Sequence, residues 1–194
     1  MFNTSLRKRL LPLAAAAALG VLSAVALAAD YKIDPAHSFA DFRIQHLGYS
    51  WLHGRFNRVS GEFNYDPADP AASAITVDID ANSVDTNYAE RDKHLRGKDF
   101  LNVEKYPKAT FKSTQYTGDA QSGTLEGMLT LNGISKPIKI DIKKVGEGKD
   151  PWGGYRAGFT GTATLALKDF GINYNLGPAS ETVQLEFGIE GVRK

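Results

Sequence analysis

Apolar and polar residues alternate one by one through most of this chain, a pattern that suits β-strands and little else. Ile75, Val77 and Ile79 alternate with Thr76, Asp78 and Asp80, and Ile138, Ile140 and Ile142 with Lys139, Asp141 and Lys143. Leu125, Gly127, Leu129 and Leu131 form another dry face, as do Phe159, Ala163, Leu165 and Leu167, and then Val183, Leu185, Phe187 and Ile189. Successive side chains of a strand point to opposite faces, so each run predicts a strand with one dry and one wet side. Phe39–His46, Phe56–Tyr65 and Ala109–Tyr116 are further candidates. Asn132-Gly133 predicts a tight hairpin turn, Asp150 to Gly154 a longer one, and Pro137 an edge or a bulge. The expectation is an all-β, antiparallel chain.

About eight half-dry strands fit a closed barrel or a two-sheet sandwich, and alternation does not separate the two. A barrel of that size either fills with side chains or holds one ligand. Small residues on the dry faces, such as Ala40, Gly61, Gly127, Gly161 and Ala163, leave room; Phe42, Phe63 and Phe111 are large enough to fill it.

One segment breaks the pattern. Asp85 to Phe100 is charge-dense and helical, with a capping-box start at Asn87 and Glu90 and a stop at Gly97. Tyr88, Arg91, Asp92 and Leu95 share one face, half apolar and half charged, which suits a helix covering something partly polar. The simpler reading is a surface helix laced by Glu90–His94 and Asp92–Arg96 pairs.

Residues 1–28 carry the three parts of a secretory signal peptide: Arg7-Lys8-Arg9, an apolar run from Leu10, and the small-x-small site Ala26-Leu27-Ala28. Cleavage after Ala28 leaves 166 of the 194 residues, 29–194, as one domain bound for the periplasm. Removing the three leader bases from 23 leaves 20 against 22 acids, a formal charge of −2. Lys136, Lys139, Lys143, Lys144 and Lys149 are interleaved with Asp141, Glu147 and Asp150, so no basic stripe points to nucleic acid. With no cysteine there is no disulfide, acylation site or thiolate chemistry, and stability rests on burial.

His37, His46, His53 and His94 lack metal-ligand spacing, and no metal is expected. A hydrolase is the alternative reading: Asp34, His37 and Ser50 supply an acid, a base and a hydroxyl. No Gly-x-Ser-x-Gly elbow frames a serine, and Asp34 with His37 equally suits a brace on the first strand.

Several segments taken together are more specific. They are Ile33-Asp34 with His37-Ser38, Phe42 through Gln45-His46-Leu47-Gly48, Arg91-Asp92-Lys93-His94-Leu95, Asp99-Phe100-Leu101, Tyr106-Pro107 before Phe111, Leu129 to Gly133, Pro151 to Gly154 with Arg156-Ala157-Gly158-Phe159, and Lys168-Asp169-Phe170. In that order the chain resembles the YceI family of exported lipocalin-like proteins, over essentially all of residues 29–194. The resemblance implies an extended eight-stranded antiparallel barrel, with one short helix between strands, holding a polyisoprenoid lipid of quinone or polyprenyl type in an apolar tunnel. It carries no catalytic set and no cofactor beyond that lipid. It leaves room for transient contact with a membrane or membrane protein and for a homodimer. The tunnel candidates are then Phe42, Phe63, Ile79, Phe111, Gly127, Leu129, Phe159, Ala163 and Leu165. At a mouth covered by the helix, Tyr88 and Leu95 would meet the first isoprene units, and Arg91, Asp92 and His94 the polar head.

Overall fold

The computed structural model describes residues 28–194; the leader reading, residues 1–28, lies outside them except for Ala28. Eight strands close on themselves: β1 (Ala29–Ile33), β4 (Val59–Tyr65), β5 (Ala74–Asp80), β7 (Lys108–Gly118), β8 (Ser122–Leu131), β9 (Ile134–Lys149), β10 (Tyr155–Ala166) and β11 (Thr182–Arg193). Each pairs antiparallel with the next, and β1 closes the ring on β11 with Tyr31 opposite Arg193. The remaining strands, β2 (Phe39–His46), β3 (Ser50–Phe56) and β6 (Val84–Asp85), form a flap beside the other half of β11, from Gln184 to Gly188. The eight-stranded barrel is present, not the sandwich.

Local chemistry sets the turns. Asn132 and Gly133 have φ of 51° and 74°, the left-handed pair that a two-residue hairpin needs. Asp150 Oδ1 accepts from the N–H groups of Trp152 (3.0 Å) and Gly154 (2.7 Å), closing the β9–β10 turn. Pro137 faces Met128 of β8, while β10 joins β9 only from Asp141 onward. The missing N–H therefore costs no ladder bond, because β9 is locally an edge there.

The dry faces meet in the lumen as one cluster that includes Tyr31, Val77, Phe111, Leu129, Ile140 and Leu165. A second cluster, of Ala81, Val84, Phe100, Leu101, Val103 and Ile172, plugs the end of the barrel where β8 finishes at Leu131.

The helix α1 (Ala89–Arg96) begins one residue later than a cap at Asn87 requires. Asn87 sits at φ 61°, its N–H held by Asp85 Oδ1 at 2.9 Å, and extended Tyr88 is the N-cap, without a side-chain cap. At the other end Gly97 is extended (φ −71°), not left-handed. The expected Glu90–His94 and Asp92–Arg96 pairs do not form: His94 lies 3.4 Å from Asp99, and Arg96 donates to the carbonyls of Asn82 and Val84.

Candidate functional site

The lumen is narrower than its glycines suggest. A Cβ on Gly127 would lie 2.4 Å from the Phe111 ring and one on Gly191 2.4 Å from Phe63; on the flap, one on Gly54 would lie 2.3 Å from Phe42. Phenyl rings have taken the space that the glycines leave. Ile79, Phe111, Leu129 and Leu165 are buried in this filled middle, with Ala163 packed beside them opposite Leu185. Phe42 lies between the two clusters, 5.8 Å from the Phe56 ring. Gly127 therefore does not mark a vacant stretch of tunnel.

Space remains at one end. A cavity of about 100 Å³ lies among Phe63, Tyr65, Ile75, Tyr116, Leu125, Ile142, Phe159 and Ile189, with Asn64, Asp119, Gln121 and Lys144 also in its lining. Of the tunnel candidates, Phe63 and Phe159 are in this wall. Phe159 meets both Phe63 (5.8 Å) and Tyr65 (5.1 Å) edge-on, and Phe63 stacks on Tyr31 at 4.8 Å. A larger groove of about 610 Å³ runs over the flap and its neighbouring strands; the tunnel candidates Phe42 and Ala163 line it with Leu185, but so do Asp41, Arg43, Lys139, Asp141 and Glu186. Those charged side chains keep water in the groove, and a wholly apolar ligand would strip it from them at a cost.

The helix is not at this cavity. The cavity borders the turn before Ser122, whereas the plug beneath the helix contacts Leu131, the other end of β8. Six residue steps of strand, from Leu125 in the cavity wall to Leu131, separate the two by roughly 20 Å. The five helix candidates have structural work there. Arg91 donates to Thr86 Oγ1 (2.7 Å) and Thr86 O (2.6 Å), while the buried Asp92 carboxylate accepts from Thr86 N (2.8 Å) and Oγ1 (2.5 Å). Both residues brace the helix's own entry, and no Arg91–Asp92 ion pair occurs among the described residues. Tyr88 is 59% exposed, Leu95 packs on the plug, and His94 lies edge-on to Phe100 and Tyr174.

The sequence reading missed Lys144 and Glu147. On β9 the inward series Ile138, Ile140 and Ile142 continues by the same period to Lys144, which was the available signal. Residues three apart on a regular strand face opposite ways, but here Phe159 faces Lys144 while Gly158 faces Gly146. Val145 is the extra residue of a bulge, and it turns Glu147 inward beside the fully buried Ala157. Lys144 Nζ then reaches Glu147 Oε1 at 2.6 Å and lies 5.3 Å from the Tyr65 ring centre, with its side chain 10% exposed. Burial works to lower the ammonium's pKa, but the bonds to Glu147 and the Tyr65 phenol outweigh it and hold the pKa above the usual lysine value.

Asp34 and His37 form a brace. Asp34 Oδ2 accepts from Arg156 Nη1 at 2.7 Å and pairs with His37 Nδ1 at 2.9 Å; Arg156 also reaches Glu190 (2.5 Å) and Asp150 (3.0 Å). Possible ligand atoms of Asp34, His37 and Glu190 lie within 4.8 Å of one another, but the guanidinium already supplies the cation they would share. Ser50 faces His46, seven steps along β2 from Phe39, which places it roughly 20 Å from His37. The three groups of the hydrolase reading do not assemble.

Comparison with known proteins agrees with this architecture. A family model described as "YceI-like domain" matches residues 31–191. A "UPF0312 protein" of Pseudomonas aeruginosa is 56% identical over 191 residues, 97% of this chain and all of its own length. Another, from Pectobacterium carotovorum, is 53% identical over 97% of this chain and 99% of its own. Among solved structures, the Campylobacter jejuni YCEI protein superposes with a TM-score of 0.70 at 31% identity, covering 78% of this chain and 90% of its own. A polyisoprenoid binding domain from Saccharophagus degradans shares the fold, with a TM-score of 0.62 at 19% identity over 84% and 98% of the two chains. With a family match spanning nearly every described strand and relatives identical at more than half their positions, this chain belongs to the YceI family.

Proposed function

We propose that this protein binds a polyisoprenoid lipid, with the tail in the barrel lumen, and carries it through the periplasm between membranes. The observation that carries the reading is the apolar chamber at the end of the lumen opposite the helix, walled by Phe63, Ile75, Leu125, Ile142 and Phe159. A polyprenyl tail has no polar group to satisfy, so an apolar tube suits it. At about 0.8 kcal/mol per methylene, a long tail does not diffuse free in water and needs a carrier. The polyisoprenoid-binding domain that shares the fold supports the same ligand class. Export rests on the Arg7-Lys8-Arg9 and Ala26-Leu27-Ala28 pattern.

The chamber's volume, about 100 Å³, is below the ~300–1,000 Å³ of ordinary ligand sites. A long tail must therefore displace side chains, and the rings of Phe63 and Phe159 stand first in its path. Native mass spectrometry of protein purified without detergent tests the reading; a bound polyisoprenoid mass is expected. Leu125→Trp, which fills the chamber at roughly 1–3 kcal/mol of packing cost, should leave the protein folded and remove that mass. A folded variant that retains the lipid would place the tail elsewhere.

A further inference from the structure

Lys144, in the wall of an apolar chamber, and Glu147, its ion-pair partner behind that wall, are an expensive pair to keep there. Such a pair loses hydration that its mutual attraction repays only in part, and apolar side chains would serve the fold as well. The strand nevertheless carries a bulge at Val145, without which the two would face opposite sides of the sheet. A tail alone gives this arrangement nothing to do. A polar head does.

We propose that Lys144, held by Glu147, is the head-group station of the lumen, and that it receives a neutral head bearing a carbonyl oxygen rather than a phosphate. The assignment rests on the isoprenoid reading above and adds which end of the lumen takes the head and what chemistry it selects. Lys144 has three N–H donors; one points to Glu147 at 2.6 Å and a second serves the Tyr65 phenol, leaving one for a ligand oxygen. Tyr65, Tyr116 and Phe159 line the same chamber and offer ring surfaces to a flat, unsaturated head. The charge balance decides against an anion. Lys144 contributes one positive charge, while Glu147 and Asp119 contribute one negative charge each. The Asp119 carboxyl is held below its usual pKa by the N–H groups of Ser122 and Gln121, so it stays ionised at neutral pH. A phosphate would meet a net negative site, whereas a carbonyl needs only the lysine's hydrogen.

The test compares three ligands with equal tails: an isoprenoid quinone, a polyprenyl phosphate and a polyisoprenoid hydrocarbon without a head. Lys144→Met keeps the length and apolar bulk of the side chain. It should weaken quinone binding about tenfold or more, the range for a hydrogen bond from a charged donor, and leave the hydrocarbon within twofold. Glu147→Gln removes one negative charge and should raise phosphate affinity several-fold while changing quinone binding little. Melting temperatures identify any variant that is merely unfolded, and Lys144→Leu, which likewise has no donor, then replaces Lys144→Met in the comparison. Equal losses for quinone and hydrocarbon, no loss for either, or a parent that prefers the phosphate would overturn the head-group assignment and leave the carrier reading standing. A parent that binds none of the three would overturn both.

Discussion

Replacing Asp34 by asparagine removes one charge from the node around Arg156 with almost no change in shape. Arg156 Nη1 at 2.7 Å and His37 Nδ1 at 2.9 Å both meet Asp34 Oδ2, and the Ala36 N–H meets Oδ1 at 3.0 Å. The Arg156 bond foremost, then that of His37, hold the carboxyl at about 2 against an ordinary 3.8. At ~1.36 kcal/mol per pKa unit this gap is worth about 2 kcal/mol before screening. The side chain is 15% exposed, so the discount is modest and about 1–2 kcal/mol remains. Because the folded pKa is depressed, the contribution is complete above pH ~4 and drains away as the pH falls toward 2. Asp34→Asn should therefore unfold about 1–2 kcal/mol more easily at pH 7, lowering Tm by roughly 2–8 °C. Urea titrations at pH 7, 4 and 2.5 measure this, and the two proteins should converge at the acid end. A deficit unchanged across that range would refute the electrostatic account. Any esterase activity of the purified parent should survive the substitution, since Asp34 is a brace here and not part of a catalytic set.

Arg91→Ala should lower Tm, because its bonds to Thr86 are lost, yet change the affinity for quinone and hydrocarbon equally or not at all; a loss confined to the headed ligand would return the helix to the binding site. Asp92→Ala leaves the Thr86 N–H and hydroxyl without their acceptor in a buried place and should cost about 2–4 kcal/mol in chemical denaturation. Gly127→Ala drives a methyl into the Phe111 ring and the Lys112 carbonyl, at about 1–3 kcal/mol; a neutral result in the same assay would mean that the ring moves freely aside.

What the sequence reveals here is what is local. Alternation in Ile75-Thr76-Val77-Asp78-Ile79 or in Ile138 to Ile142 needs no knowledge of partners, and neither does the left-handed Asn132-Gly133 turn. Closure of the ring through Tyr31 and Arg193 has no such local signal, because it joins the two ends of the chain, and resemblance to a family supplied it. Emptiness is nonlocal too. Gly127 reads as space until the Phe111 ring from the neighbouring strand is laid over it, and only the three-dimensional register brings the two together.

The sequence points to the helix end for a related reason. A charged helix face draws attention because charge beside apolar residues signals function, yet Arg91 and Asp92 spend that charge on Thr86 within six residues. In contrast, Lys144 and Glu147 look like ordinary surface charges, since a spacing of three on a strand puts one of them outside. The bulge at Val145 reverses this by adding one residue, and it leaves a trace: an exposed valine, 73% accessible, followed by Gly146, just where the isoleucine series ends. On β9 the place where alternation fails is where the lumen acquires a polar group. That is the place a head group needs one.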